Sequence, residues 1–407
     1  MEPPPGKAEI SMAIRPPRVF TSKITKVAKC CDASMVAGVP AVRVPDPSLV
    51  FLPMFFSDSA PATSLPHTRR AWLAHFALPV LGMTAMSRAH SKPPSPAFAW
   101  KIFQENGHDY VRLEEIKTFY SFPRLQREGR NSFLRSQTMV IKFSANAEDI
   151  FINNVKFCLS LPTSERNGSI LVSRIDLAKL LEPIIRPTYI QNTLGFDTVV
   201  IDAGHGGHDS GAPGHYGQEK YYTLDTALRL EKKLKEMRLK TLLTRRTDVF
   251  LTLGERVAIA NNTPSCIFVS IHFNSFRSSS AIGLETFALA PQGTADTYDE
   301  LESGDMRNRR GNQRDSENIA LATAVHANTL YKLRSVDRGI KRARFNVISG
   351  IEKPGILVEG GFVTNPGESA RIHRPEFRQS LAEAIAGGIA NYRKAVGKRP
   401  TPKTTPP

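Results

Sequence analysis

Histidine and glutamate residues stand where short apolar runs stop. Val199–Ile201 gives way to Asp202, Gly204, His205, Gly206, Gly207 and His208. The β-branched residues of that run suit a buried strand, and the glycines let the chain bend freely beyond it. A second continuous apolar run, Cys266–Ile271, ends at His272, and a third, Pro354–Val358, ends at Glu359. Glu219 lies just ahead of a helix expected from near Tyr221. Two imidazoles and one carboxylate with an open fourth position make a catalytic zinc set. His205, Glu219 and His272 are therefore the expected ligands. Glu359 is the expected general base, taking a proton from water whose pKa the metal lowers to about 7. Each residue alone has a plainer reading: a hydrogen-bonded histidine at a strand end, or a carboxylate that suits a helix dipole. His208 and His215 compete for the metal but rank below His205, because adjacent loop positions seldom both point inward.

These side chains converge if the strands that carry them lie in one sheet, since functional groups gather beyond the carboxyl ends of strands in open α/β folds. From Thr198 to about Lys394 strands and helices alternate. Leu224, Ala227, Leu230, Leu234 and Met237 form one apolar helical stripe, and Phe377, Leu381, Ile385, Ile389 and Tyr392 form another. Leu239–Thr244 and Gly283–Leu289 read as further strands, and Leu253–Asn261 and Asp315–Leu333 as helices. The expected fold is α/β, with a mostly parallel sheet flanked by helices over 198–394. A small α+β module precedes it at 98–187, with a short helix at Glu114–Tyr120, strands at Thr138–Phe143 and Asp149–Ile152, and a turn at Asn167-Gly168. The glycine loop is no dinucleotide site: Gly204-x-Gly206-x-x-Asp209 departs from G-x-G-x-x-G.

The chain has 407 residues, enough for two or three domains, and its 41% hydrophobic content suits globular cores. Its 54 Lys and Arg against 38 Asp and Glu give a net charge of +16, which favours anionic partners such as a membrane surface or an acidic envelope. No zinc finger, RNA-recognition signature or long basic run is present, so nucleic acid is not an expected partner. Residues 1–68 are rich in Pro, Ser and Ala and read as disordered or mis-annotated, with the true start downstream, at Met54 for example. Arg69 and Arg70, the apolar stretch Trp72–Met86 and Ser87-Arg88-Ala89 form a signal-peptide pattern over 69–89, too short to span a membrane stably. A buried or interfacial helix is the alternative. Residues 90–97 read as a linker and 395–407 as a disordered tail. Cys30, Cys31, Cys158 and Cys266 have no metal-knuckle spacing and read as free thiols, the last two buried.

Four stretches in order, VVIDAGHGGHDSGAPG with QEK, LLTRRTDVFLTLGERVAIAN, FVSIHFNS with GLETFAL, and GILVEGGFVTNPGE, resemble the zinc-dependent N-acetylmuramoyl-L-alanine amidases of the amidase_3 type. The resemblance covers 198–394, and it implies Zn2+ on His205, Glu219 and His272 with Glu359 catalytic. Arg246, Asn274 and Asn365 lie within matching motifs as structural or substrate-positioning residues. The implied reaction is hydrolysis of the amide between N-acetylmuramic acid and L-alanine in peptidoglycan by an exported periplasmic or envelope enzyme, with an envelope protein as an activator compatible with it. A zinc peptidase acting on the stem peptide and a non-catalytic wall-binding protein are the competing readings. The 98–187 module resembles the copper amine oxidase N-terminal-like domain, which implies no copper here. One departure is the polar insertion 291–314. Some family members carry an occluding regulatory helix in the corresponding region, and here a lid, a substrate-binding loop or a solvated loop are all open.

Overall fold

The computed structural model describes residues 98–397, so the expectations for 1–68, 69–89, 90–97, Cys30, Cys31 and nearly all of the tail fall outside the described residues. In chain order the first half carries β1 (Phe103–Glu105), β2 (His108–Arg112), α1 (Leu113–Phe119), β3 (Arg124–Glu128), β4 (Asn131–Arg135), β5 (Val140–Ser144), β6 (Asp149–Ile152), β7 (Val155–Cys158), β8 (Ser164–Arg166) and β9 (Ser169–Ser173). A helical stretch from Arg174 to Ile185, α2, closes it. The strands are joined by tight turns at residues that tolerate positive φ. Asn153-Asn154 links β6 to β7 and Asn167-Gly168 links β8 to β9, as primed hairpin turns require.

The second half carries β10 (Thr198–Ala203), α3 (Glu219–Glu236), β11 (Lys240–Leu243), α4 (Leu253–Asn262), β12 (Cys266–Asn274), β13 (Leu284–Leu289), α5 (Asp315–Leu333), β14 (Asp337–Ala343), α6 (Asn346–Ser349), β15 (Gly355–Phe362), α7 (Pro366–His373) and α8 (Pro375–Val396). Successive residues of the central strands feed opposite faces. Val199, Ile201, Ile267, Val269, Ile356 and Val358 face α3, α5 and α8. Val200, Phe268 and Leu357 face α4 and α6. The α3 stripe packs inward as its spacing implies, with Ala227, Leu230 and Leu234 buried and Leu224 and Met237 at its margins.

The expectation of a mostly parallel sheet is corrected: the large sheet is mixed. Its order is β11-β10-β12-β15-β13-β14-β7-β6-β5-β4-β3, eleven strands drawn from both halves of the chain, beside a four-stranded sheet β1-β2-β9-β8. Strands β11, β10, β12 and β15 are parallel, but β13 runs antiparallel to β15. The link from β12 to β13, residues 275–283, contains no helix. A parallel return needs a crossover of a dozen or more residues, so the chain turns and comes straight back. β14 and β7 follow β13 in parallel, and β6 to β3 then alternate.

That reversal decides where the 291–314 insertion lies. Glu285 of β13 pairs with Glu359 and Phe287 with Leu357, so β13 descends from the Glu359 end of the sheet. The insertion leaves the opposite end, which disposes of a lid or occluding helix over Glu359. It is also held down: Arg344 binds Asp296 at 2.8 Å and Asp305 at 3.1 Å and donates to the carbonyls of Pro291 and Thr294. Cys158 and Cys266 are free and buried. Among the described residues no helix is long and apolar enough to cross a membrane.

Candidate metal centre

Three segments meet at the carboxyl ends of β10, β12 and β15. His205 stands two residues past β10 with a left-handed backbone (φ 59°), a conformation that needs support for a residue with a side chain. Glu219 is the first residue of α3, not a residue ahead of it as its sequence position suggested. His272 lies within β12, just before a register shift against β15 between His272 and Asn274. Glu359 lies within β15, paired in register with His272 on one side and Glu285 on the other.

The structure brings His205, Glu219 and His272 together. One donor atom from each lies within 4.8 Å of the others. The Glu219 carboxylate bridges the imidazoles, with Oε2 3.1 Å from His205 Nε2 and Oε1 3.0 Å from His272 Nδ1. Backbone N–H groups of Ala212 and Phe273 donate to the same two oxygens at 2.9 and 3.0 Å, which fixes the carboxylate. Asp209 Oδ2 sits 2.9 Å from His205 Nδ1 and orients that ring from behind, as the outer partners of ligating histidines do. Gly204 has no room for a side chain, because a Cβ there would lie 2.3 Å from His272 Cε1.

The electrostatics follow from this packing. Burial alone would lower the His205 pKa, but the Glu219 carboxylate, with Asp209, outweighs it and pushes the imidazole up to about 10. Burial opposes the Glu219 charge too, yet the two imidazoles hold its carboxyl far below the usual range. Burial raises Glu359 well above an ordinary glutamate, and the neighbouring Glu219 and Glu285 carboxylates add to that. Its Oε2 is buried with no hydrogen-bond partner among the described residues. Two imidazoles and a carboxylate fit a catalytic zinc ion, and an orphaned carboxylate oxygen beside them fits a group that handles a proton.

His208 and His215 stay outside the cluster. His208 is exposed and stacks on Phe250, ring centroids 4.0 Å apart. His215 donates its backbone N–H to Ser369 Oγ and sets its ring against Thr364 O. Asn274 donates to Glu285 at 3.2 Å, and Asn365 caps α7 through the N–H of Glu368. Arg246 is exposed and pairs with Glu231, whereas the adjacent Arg245 is buried under the metal loop. Arg245, Arg256, Asp202 and Asp209 are the residues sequence reasoning passed over. The signal for Asp202 was a lone carboxylate inside an apolar strand, which demands a buried partner.

Residues 199–391 match the family described as Amidase_3, N-acetylmuramoyl-L-alanine amidase. The uncharacterized protein YqiI of Bacillus subtilis (strain 168) is 36% identical over 195 residues, which span 48% of this chain and 84% of YqiI. The N-acetylmuramoyl-L-alanine amidase AmiA of Salmonella typhimurium is 31% identical over 217 residues, spanning 48% of this chain and 75% of AmiA. The amidase LytC of Bacillus subtilis (strain 168) is 32% identical over 203 residues, and this chain covers 37% of its length. A relative at 31% identity that aligns over three quarters of its own length, together with the family match over 199–391, settles the kinship: this chain belongs to the Amidase_3 family of N-acetylmuramoyl-L-alanine amidases.

Proposed function

We propose that this chain hydrolyses the amide joining the lactyl group of N-acetylmuramic acid to L-alanine of the peptidoglycan stem peptide, with zinc held by His205, Glu219 and His272. The observation that carries the reading is the three-residue donor set beside a glutamate with an orphaned buried oxygen. Zinc bound there would polarise the scissile carbonyl and lower the pKa of a bound water towards neutrality. Glu359 takes the water's proton on its carboxylate as the new C–O bond forms, then returns it to the leaving alanine nitrogen as the C–N bond breaks. Glu219, gripped by two backbone N–H groups, keeps both imidazoles in place. Asp209 fixes the ring orientation of His205.

The substrate lies in the cell envelope, which agrees with the export signal read at Arg69–Ala89. We assign the 98–187 module to the copper amine oxidase N-terminal-like type, on its run of hairpins closed by α2. The decisive experiment is mass spectrometry of purified peptidoglycan digested by the full chain. Free stem peptides beginning with L-alanine, alongside intact muramic acid, are expected. Cuts between stem-peptide residues would overturn the amidase reading in favour of a peptidase. Glu359→Gln should keep bound zinc and lose about 10²–10⁴-fold in kcat, the usual worth of a general acid–base group. Unchanged release of peptides by that variant would remove Glu359 from the mechanism.

A further inference from the structure

A second layer of buried charge lies directly beneath the metal loop, and the reaction as described makes no use of it. Asp202, Arg245 and Arg256 are 1%, 2% and 3% exposed. Arg256 reaches up from α4. It binds Asp202 at 2.7 Å and donates to the carbonyls of Ala203 at 2.7 Å and His205 at 2.8 Å. Arg245 donates to Ala203 O at 3.0 Å and, through Nη2, to the carbonyls of Gly204 and Lys220, both at 2.8 Å. Thr223 Oγ1 bridges the same two carbonyls. Asp202 also accepts from Ser270 Oγ at 2.7 Å.

These bonds reach every segment that bears a ligand. His205 is held by its own carbonyl. Glu219 is held through the carbonyl of the next residue, Lys220, and His272 through Ser270, two residues earlier on the same face of β12. Two guanidiniums buried against one carboxylate are costly, and a strut that served stability alone would be apolar. The pair is accounted for by what it grips: a run of carbonyls past the end of β10, where His205 adopts a left-handed backbone. A planar fork can bind several carbonyls at fixed angles, which a lysine cannot.

We propose that Asp202, Arg245 and Arg256 are positioning residues for the metal set, fixing the spacing of His205, Glu219 and His272 and thereby the affinity and coordination geometry of the bound ion. The proposal rests on the zinc reading above.

The test measures zinc dissociation constants for the full chain by competition with a chromophoric chelator, and the visible spectrum of the Co2+-loaded protein. Thermal midpoints of the metal-free proteins are recorded alongside. Arg256→Lys and Arg245→Lys keep the charge and lose the fork. Each is expected to bind zinc about 10–100-fold more weakly, the usual cost of losing an outer-shell partner, and to shift the Co2+ bands. Ser270→Ala and Thr223→Val remove single hydroxyls, so they fold even if the lysine variants do not, and should weaken zinc binding less but measurably. Variants that lose thermal stability yet keep zinc affinity within about twofold and an unchanged Co2+ spectrum would overturn the proposal. A wild-type chain that binds no zinc would instead overturn the reading beneath it.

Discussion

Gly204 and Asp202 are the most exacting residues at the site, one by its lack of a side chain and the other by its charge. A Cβ on Gly204 would strike three atoms of the His272 ring at 2.3–2.7 Å, and the ring is pinned by Glu219, so it cannot simply swing away. Gly204→Ala is expected to cut bound zinc and peptidoglycan hydrolysis about tenfold or more, read by metal analysis and peptide release. Asp202 makes a prediction in pH. Burial works against its carboxylate, but Arg256 beside it, with Ser270 and Thr244, outweighs that and holds its pKa below the usual range. A depressed folded-state pKa gives stability that is present above the unfolded value of about 3.9 and is lost as pH falls through the folded one. The stability gap between wild type and Asp202→Asn, from urea unfolding, should therefore stay constant from pH 7 to 5 and narrow as pH falls below about 4. A gap unchanged to pH 3 would mean that the charge contributes little. The metal-type residues were legible in the sequence because histidine and glutamate at strand ends are conspicuous. The arginines were not: which member of Arg245-Arg246 turns inward depends on the phase at which β11 ends, and spacing alone does not give that phase.

Among the elements, α4 matters because it delivers Arg256 to the metal loop. Its start is fixed by a reciprocal cap in which Thr252 Oγ1 accepts from the Glu255 N–H at 3.2 Å and Glu255 accepts from the Thr252 N–H at 2.7 Å. Thr252→Ala should lower the free energy of unfolding by about 1 kcal/mol, with the urea m-value unchanged, because it removes a cap and leaves the packing intact. A loss below a few tenths would mean the helix is held by Arg256 and not by its cap. Helices α3 and α8 could be read from their apolar stripes. Strand β14 could not, because Asp337-Arg-Gly-Ile-Lys-Arg-Ala looks like a solvated loop. It is central only because its cations are neutralised or gripped from outside the strand. Lys341 pairs with Glu285 at 2.8 Å, and Arg342 donates to the carbonyl of Lys179. Periodicity identified β13 as a strand but not its direction, which follows from the short link of residues 275–283 before it.

At the scale of the whole molecule, two regions that read as separate modules share one sheet. Phe157 of β7, fully buried, pairs with Ile340 of β14, and the N–H of Lys156 donates to Asp337 at 2.8 Å. Lys179 of α2 bridges to Asp315 at the start of α5 at 3.2 Å. The apolar core is continuous across the junction, running from Val111 and Ile141 through Phe157 to Ile340 and Leu330. Pulling the halves apart would leave β14 as an open edge and break the bond from Arg342 to the Lys179 carbonyl, so neither half has much to gain by unfolding alone. Unfolding in urea is therefore expected to be one transition. Among the described residues Trp100, packed against Phe98 and Phe119, is the one tryptophan, so its fluorescence in a Trp72→Phe variant follows the first half, while retention of zinc at the proposed site follows the second. The two curves should coincide within error. A fluorescence change that runs to completion while zinc stays bound would show that the shared sheet does not couple the halves.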